Sequence, residues 1–575
     1  MCGIVGYHGE EEAADHVFEG LKKLEYRGYD SAGIATVGNP SIKVEKGTGT
    51  VDEALSETPD GTTGIGHTRW ATHGGISETN AHPHADCEGR IAIVHNGVID
   101  NHRELREELS GHRFRSDTDT EVIPHLLEEA LQQHGSKREA VEHVMQRIEG
   151  AYAVVAAFDT GEMVAFRQNS PLVLGIGEDE TFVASDVTPF LEHTDRAVFL
   201  EEGDLAVIDG NGHRVYQEGE EVEREVEDID WDAQQATKAG HDHFMEKEIK
   251  EQPKTIKRAV FQDRSELEQA KEMIEKADNV YMTACGTAGI AASLGAKYLR
   301  DAGLHPEVEL SHEMEYRKDE IGEDDLVIAV SQSGETADLL SVLRDVEADV
   351  LAVVNVVGST LARNASHTLL VNAGPELGVA STKAFTGQVA VLKMLKYALE
   401  DSIEVGRESL LQTADRAKQV MEDNEETVEK ISEYLAEKED AYFIGRNRGH
   451  DLAREAALKL KELSYIHAEA FPGGEFKHGT LALVEDGTPV ISFLKDDGYE
   501  DILTNTAEAQ GRGADVISVG TDDPLGSEFF IEVPEDENRE LLEVIPFQLI
   551  AYLTSVEKGN NPDKPRNLAK SITVK

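Results

Sequence analysis

The apolar residues of this chain change their period near residue 240. Before that point they fall into short β-rich runs, such as 151–158 and 205–208, separated by turn signals at Asp159-Thr160-Gly161, 175–179 and Asp209-Gly210-Asn211-Gly212. Residues 91–95 read as a strand running into a turn at Asn96-Gly97, and Asn101 reads as the cap of a helix through Leu109. The mixture predicts an α+β domain over residues 1–235. The acidic stretch 217–240 contains little that could form a core, which places a linker at 236–248.

Beyond the linker, helix, strand and loop alternate. Residues 279–283, 326–330 and 350–354 are continuous apolar runs, each followed by a glycine- or serine-bearing turn or a helix, the sign of a doubly wound parallel sheet. The pattern then returns. Residues 280–283 match 441–444 and residues 327–330 match 490–493, offsets of 161 (441 − 280) and 163 (490 − 327). Two tandem α/β subdomains from an internal duplication are expected, at 249–410 and 411–560, with a C-terminal tail at 561–575.

Charge and cysteine content narrow this picture. The chain carries 112 acidic against 55 basic residues, a net charge of −57, yet 39% of it is hydrophobic, which separates it from disordered acidic chains. The acid reads as a solvated surface suited to a salt-rich cytosol, and it argues against a nucleic-acid partner. Cys2, Cys87 and Cys285 are too few for a disulfide framework and none sits in a paired metal-ligand spacing. Without a long apolar run or a basic-then-apolar leader, neither a membrane span nor a signal peptide is expected, and the protein is expected in the cytoplasm.

Candidate chemistry begins at the second residue. Removing the initiator methionine leaves Cys2 with a thiol and an α-amine on one carbon. That amine, with a pKa of roughly 7.7 to 8.0, can take the thiol proton, so one residue supplies nucleophile and base. The competing reading is a small buried residue opening a strand. Polar residues then concentrate in loops at 66–74, 80–84, 95–97 and 116–121. Their histidines lack a helical i, i+4 pair or cysteine companions, which speaks against a metal. Asn96 and the Gly97 amide suit an oxyanion hole, Arg69 a fork for a carboxylate, and Asp119 a ligand for an ammonium. An amino acid with a side-chain amide needs that set.

In the first α/β copy, Ser331-Gln332-Ser333-Gly334-Glu335-Thr336 lies between a strand and a helix beginning near Ala337. Hydroxyls, a permissive glycine and a helix N-terminus suit a phosphate monoester, against the plainer reading of a capped turn. The matching place in the second copy, Leu494-Lys495-Asp496-Asp497-Gly498, would repel phosphate, so one copy is expected to bind it. Glu455, Lys459 and Glu462 share one helix face at i, i+4 and i+7, by themselves a surface salt-bridge ladder. The run 464–479, rich in glycine, histidine and glutamate, raises the alternative of proton transfer beside a sugar carbonyl. Lys570, in a segment that otherwise reads as a frayed tail, is a candidate Schiff-base lysine.

These motifs carry a resemblance. The Cys2 hexapeptide, His67-Thr-Arg-Trp-Ala-Thr-His-Gly74, Asn80-Ala-His-Pro-His84, His95-Asn-Gly97 and Thr118-Asp-Thr-Glu121 resemble class II glutamine amidotransferases, which implies an N-terminal-nucleophile hydrolase domain. The duplicated half, through 331–336, Gly378-Val-Ala-Ser-Thr-Lys383, Lys459-Leu-Lys-Glu462, Glu475-Phe-Lys-His478 and Asn567-Leu-Ala-Lys-Ser571, resembles the sugar isomerase (SIS) domain family. Their combination is similar to aminotransferases that isomerise a hexose phosphate. It implies transfer of the glutamine amide nitrogen to fructose 6-phosphate, the first step of amino-sugar synthesis, with neither metal nor pyridoxal cofactor. Carried over by position, the resemblance implies Cys2 as nucleophile, Asn96 and Gly97 as oxyanion hole, and a glutamine site of Arg69, Trp70, Thr72, His73, His82 and Asp119, with Trp70 gating an ammonia channel. It implies Thr287, Ser331, Gln332, Ser333, Thr336, Val379, Ser381 and Lys459 around the sugar phosphate, with Lys570 as imine former and Glu462 as proton carrier. His478 is implied to reach across a homodimer. Two departures are Ala288 and Thr480, where the family commonly has serine and proline. The lost hydroxyl at Ala288 costs about 1 kcal/mol of phosphate binding. A sugar-phosphate-binding regulator and an amidotransferase with another acceptor sugar are the alternatives.

Overall fold

A computed structural model describes residues 2–38, 41–56, 59–71, 74–229, 238–495 and 498–572. The chain divides into two compact units, Met1–Ala236 with Ala569–Lys575, and Thr237–Leu568.

The first unit stacks two antiparallel sheets, of eight and seven strands among the described residues. In one, Gly3–His8 lies between Thr63–Arg69 and Thr181–Ala184, so the chain directly after Cys2 is a central strand. In the other, Ile91–Ile99 pairs along its length with Gly150–Phe158. Ile4, Ile65 and Val183 from the first sheet meet Val94, Val155 and Ala165 from the second in one apolar cluster. Helices Val122–Gln133 and Lys137–Met145 cover the second sheet through Ile123, Leu127 and Val141. Helix Ala13–Lys23 packs against the central strands of the first. The result is the four-layer α+β arrangement expected of an N-terminal-nucleophile domain.

Two local expectations fail here. Asn96-Gly97 does not turn; the strand continues to Ile99, with Asn96 opposite Ala153 and Gly97 opposite Tyr152. The dipeptide signal is local, and the ladder with the neighbouring strand overrides it. Gly97 holds φ +134°, and a Cβ there would stand 1.9 Å from the Ala151 carbonyl oxygen, so the position admits only glycine. Asn101 precedes helix His102–Glu108 without capping it: its Nδ2 donates to Arg147 O at 2.8 Å and its Oδ1 accepts from Glu149 N at 3.1 Å.

The second unit contains two parallel five-stranded sheets of identical topology. The first runs Glu307–Leu310, Val280–Ala284, Leu326–Ser331, Asp349–Val354, His367–Leu370 from edge to edge. The second runs His467–Pro472, Asp440–Gly445, Pro489–Phe493, Asp515–Gly520, Phe529–Glu532. In both, the second strand in sequence takes the edge and the first lies beside the third, the order of a doubly wound fold. One apolar core runs through both halves, joining Met282 and Ile328 to Phe443 and Ile491, with Leu392 of helix Lys383–Leu399 and Ile545 of helix Arg539–Glu557. Lys393 ties these helices together, donating to Asn538 Oδ1 at 3.0 Å and Glu540 Oε2 at 3.1 Å. Burial works against the Glu540 charge, but Lys393, Lys495 and Arg448 outweigh it and hold the carboxyl at about 2.

The division at 410/411 falls inside a continuous helix, Ile403–Asp423, and helix Phe244–Val260 begins inside the 236–248 linker. The run 464–479 forms strand His467–Pro472 and the short helix Gly473–Phe476. Among the described residues no helix is long and apolar enough to cross a membrane.

Candidate functional site

In the first unit, pairing of Gly3 with Thr68 brings Cys2 beside Trp70. Cys2 Sγ accepts from Trp70 N at 3.4 Å and lies 3.6 Å from Trp70 O. Asn96 Nδ2 donates to the Cys2 carbonyl at 2.9 Å, and Asn96 Oδ1 lies 3.1 Å from His67 Nε2, which is also 2.9 Å from His95 O. Residues of two distant segments, 67–70 and 95–96, thus fix Cys2, the first at its thiol and the second at its carbonyl. Burial pushes that thiol up, so it needs a base before it can attack.

Asp119 Oδ2 accepts from Ile99 N at 2.8 Å, which anchors its carboxylate on the strand that carries Asn96 and Gly97. Arg69 is buried, donates to Gly74 O and Gly75 O at 3.3 Å, and lies in the field of Cys2, Asp30 and Asp119. Thr72 and His73 lie outside the described residues. His82 is a scaffold residue: its Nε2 meets Thr120 Oγ1 at 3.1 Å, and its ring lies 4.1 Å from that of His67. Burial lowers His67 to about 3 and holds His82 and His84 well below the usual histidine range, so these rings are neutral at pH 7. Two supporting residues went unnoticed in the sequence. Thr120 Oγ1 also meets His95 Nδ1 at 2.9 Å, and Asp30 Oδ2 accepts from Ala71 N at 2.9 Å.

In the second unit, strands Val280–Ala284 and Leu326–Ser331 are neighbours, and the chain leaves their carboxyl ends toward opposite sides of the sheet. Open α/β sheets bind ligands at such a switch point. Thr287 and residues 331–336 flank it. Ser331 Oγ accepts from Gly334 N at 2.9 Å, and Ser333 Oγ accepts from Glu335 N at 3.1 Å, which shapes the loop into a tight nest. A Cβ on Gly334, at φ +68°, would stand 2.2 Å from Ser359 Oγ. Thr336 occupies the N-cap position of helix Ala337–Asp345 without a side-chain capping bond, whereas the hydroxyls of Ser331 and Ser333 do bond to amides of the turn. Gln332 is half-buried on the same loop. Asp496 and Asp497 of the second copy lie outside the described residues.

The Glu455, Lys459, Glu462 face of helix Arg448–Ser464 is no surface ladder. Glu455 and Lys459 are fully buried, and Glu462 is half-buried. Lys459 Nζ lies 2.6 Å from Glu462 Oε2 and 3.7 Å from Glu455 Oε1, and the Thr287 hydroxyl donates to Glu455 Oε1 at 3.3 Å. The two α/β copies therefore meet where Thr287 touches Glu455. Burial disfavours the Lys459 charge, but Glu462 and Glu455 outweigh it and raise its pKa. Glu376, which also acts on Lys459, accepts from Ser381 Oγ at 3.0 Å and from Thr382 N at 2.9 Å, and Val379 N donates to Asp563 O at 3.2 Å. The loop bearing Val379 and Ser381 is thus held beside the buried lysine. His478 is exposed, and Lys570 belongs to the segment grouped with the first unit. Glu376 and Glu455 organise this site, and spacing alone did not single out their buried roles.

Glu455 supplies a pH test. Burial raises its carboxyl to about 7, and Glu455 Oε2 has no hydrogen-bond partner among the described residues. From the ordinary carboxylate range up to that value the folded chain holds a proton the unfolded chain has released, so folding is progressively disfavoured as pH rises across this window. Glu455→Gln is therefore expected to melt at a higher temperature relative to the parent at pH 8 than at pH 5, in thermal unfolding at constant salt. A difference that is flat or reversed would contradict the assignment.

Residues 67–192 match the family model described as glutamine amidotransferase domain, and residues 273–398 and 434–558 each match the SIS domain. A protein of Thermococcus kodakarensis, glutamine–fructose-6-phosphate aminotransferase [isomerizing], is 44% identical over 603 residues with both chains fully covered. Its namesake from Halobacterium salinarum is 44% identical over 602 residues, again over all of both chains. Among solved structures, the C-terminal domain of glucosamine-fructose-6-phosphate aminotransferase from Francisella tularensis aligns with TM-score 0.54 at 34% identity, covering 57% of this chain and 99% of that one. Tagatose-6-phosphate ketose/aldose isomerase from Escherichia coli aligns with TM-score 0.51 at 21% identity, over 57% of this chain and 97% of that one, a likeness of fold.

Proposed function

We infer the reaction from one premise: the chain belongs to the isomerising glutamine–fructose-6-phosphate aminotransferase family. It is an enzyme that moves the amide nitrogen of glutamine to fructose 6-phosphate and isomerises the sugar, giving glucosamine 6-phosphate and glutamate. The observation that carries the assignment of sites is the placement of Cys2 against Trp70 and Asn96 in one unit and of Thr287 against the Glu455–Lys459–Glu462 cluster in the other.

In the first site Cys2, freed by methionine removal, attacks the glutamine amide carbon while its α-amine takes the thiol proton. Asn96 Nδ2 and the Gly97 amide stabilise the oxyanion, Arg69 and Asp119 hold the substrate carboxylate and ammonium, and ammonia leaves as the thioester forms. Water then releases glutamate. Thr72 and His73 bind glutamine in the reading that the family resemblance carries, His82 braces the site through Thr120 and His67, and Trp70 gates the passage of ammonia. In the second site Ser331, Gln332, Ser333 and Thr336, with Thr287, Val379 and Ser381, hold the phosphate and sugar. Lys570 forms an imine at C2 of the open-chain ketose, and ammonia displaces it. Glu462, oriented by the Lys459 ammonium at 2.6 Å, carries a proton from C1 to C2, which leaves the aldehyde at C1. His478 serves ring opening in a neighbouring subunit of a homodimer; its exposure supports that role.

Purified protein given glutamine and fructose 6-phosphate in concentrated salt is expected to form glucosamine 6-phosphate and glutamate in equal amounts. Glutamate without amino sugar would overturn the reading in favour of another acceptor, and sugar-phosphate binding without turnover in favour of a regulator.

A further inference from the structure

Cys87, His112, His125 and Glu128 converge outside both sites. Cys87 lies in the loop between strands His84–Ala85 and Ile91–Ile99, and His112 in the turn after helix His102–Glu108. His125 and Glu128 are one turn apart on helix Val122–Gln133. Cys87 Sγ is 3.5 Å from His112 Nδ1 and 3.7 Å from His125 Nδ1. Glu128 Oε2 is 3.1 Å from His112 Nδ1 and 3.5 Å from His125 Nδ1, and all four ligand atoms lie within 4.8 Å of one another. Around a tetrahedral ion bonded at about 2.0–2.3 Å, such atoms stand roughly 3.3–3.6 Å apart along each edge. The four measured edges, 3.1 to 3.7 Å, bracket that range.

The surroundings fit as well. Each histidine turns Nδ1 toward the shared point and its other nitrogen toward a carboxylate: His112 Nε2 is 3.1 Å from Glu129 Oε1, and His125 Nε2 faces Glu121 Oε1 at 3.9 Å. An outer carboxylate at hydrogen-bond distance, as Glu129 is to His112, fixes the tautomer and orientation of a metal-ligating histidine. His125 is fully buried, so its Nδ1 meets Cys87 and Glu128 away from bulk solvent. Glu121 also accepts from Arg115 N at 2.7 Å and Ser116 N at 2.6 Å, so the cluster is tied to the segment that carries Asp119.

We propose that Cys87, His112, His125 and Glu128 form a structural site for a tetrahedral divalent metal such as zinc, anchoring the segment that leads to Asp119. Four protein ligands close the coordination sphere, which assigns the ion a role in folding rather than in catalysis. The proposal stands on this geometry alone and does not depend on the aminotransferase reading. It departs from the metal-free expectation that the family resemblance carried.

The test is titration of metal-free, full-length protein with Co²⁺ in concentrated KCl, which suppresses weak binding to the acidic surface. The expected result is about one tightly bound equivalent, with a thiolate-to-cobalt band in the near ultraviolet and tetrahedral bands in the visible, all displaced by Zn²⁺. Cys87→Ser should abolish the near-ultraviolet band. Cys285→Ser should retain it, which separates this site from the looser grouping of Cys285, His312 and Asp338. No thiolate band in the parent protein, or a band that survives Cys87→Ser, overturns the proposal; the parent titration decides even if a variant folds poorly.

Discussion

Cys2→Ala is expected to lower glutamate release from glutamine by at least about a thousandfold, the scale on which removing a nucleophile acts. Slow conversion of fructose 6-phosphate to glucose 6-phosphate should remain. The reasoning is spatial. The thiol is held by the Trp70 backbone and the Cys2 carbonyl by Asn96 within the first unit, whereas Glu455, Lys459 and Glu462 lie on a helix of the second. Removing one sulfur leaves the strand Gly3–His8 and its ladders in place. Parallel assays of glutamate and of glucose 6-phosphate check this, and loss of both activities together would undo the division into two sites.

Lys570→Ala should have the complementary effect. If the imine at C2 is formed by this lysine, amino-sugar synthesis should fall by about three orders of magnitude or more, while glutamine hydrolysis remains measurable. The hydrolysis readout matters because residues from Ala569 onward are grouped with the first unit, so a merely structural role for the tail would disturb that activity instead. An unchanged synthesis rate would return the C-terminus to a frayed tail.

Much of the second unit was legible because parallel strands buried on both faces read as unbroken apolar runs. Strands Leu326–Ser331 and Asp349–Val354 begin within one residue of the runs that announced them, and the repeat at 441–444 and 490–493 emerged as the corresponding strands of the second sheet. In the first unit the hairpins closed by 159–161 and by Gly210-Asn211 formed as expected. The Asn96-Gly97 turn did not, because a dipeptide preference is small against a nine-residue ladder. The positions of Glu455, Lys459 and Glu462 on one helical face were visible in their spacing, but their burial was not. Helical periodicity reports which residues share a face, and only the tertiary fold decides what covers it. The Cys87 cluster was hidden for another reason. Separations of 25, 13 and 3 residues (112 − 87, 125 − 112, 128 − 125) follow no motif, and only the packing of a loop, a turn and a helix brings the ligands together.

The central claim is that the nitrogen released at Cys2 is the nitrogen joined to the sugar. Glutamine labelled with nitrogen-15 at the side-chain amide, supplied with fructose 6-phosphate and an excess of unlabelled ammonium, tests it directly. Glucosamine 6-phosphate that retains the label almost completely, by mass spectrometry, is the result predicted. Product whose nitrogen is diluted to the composition of the bulk ammonium would contradict it.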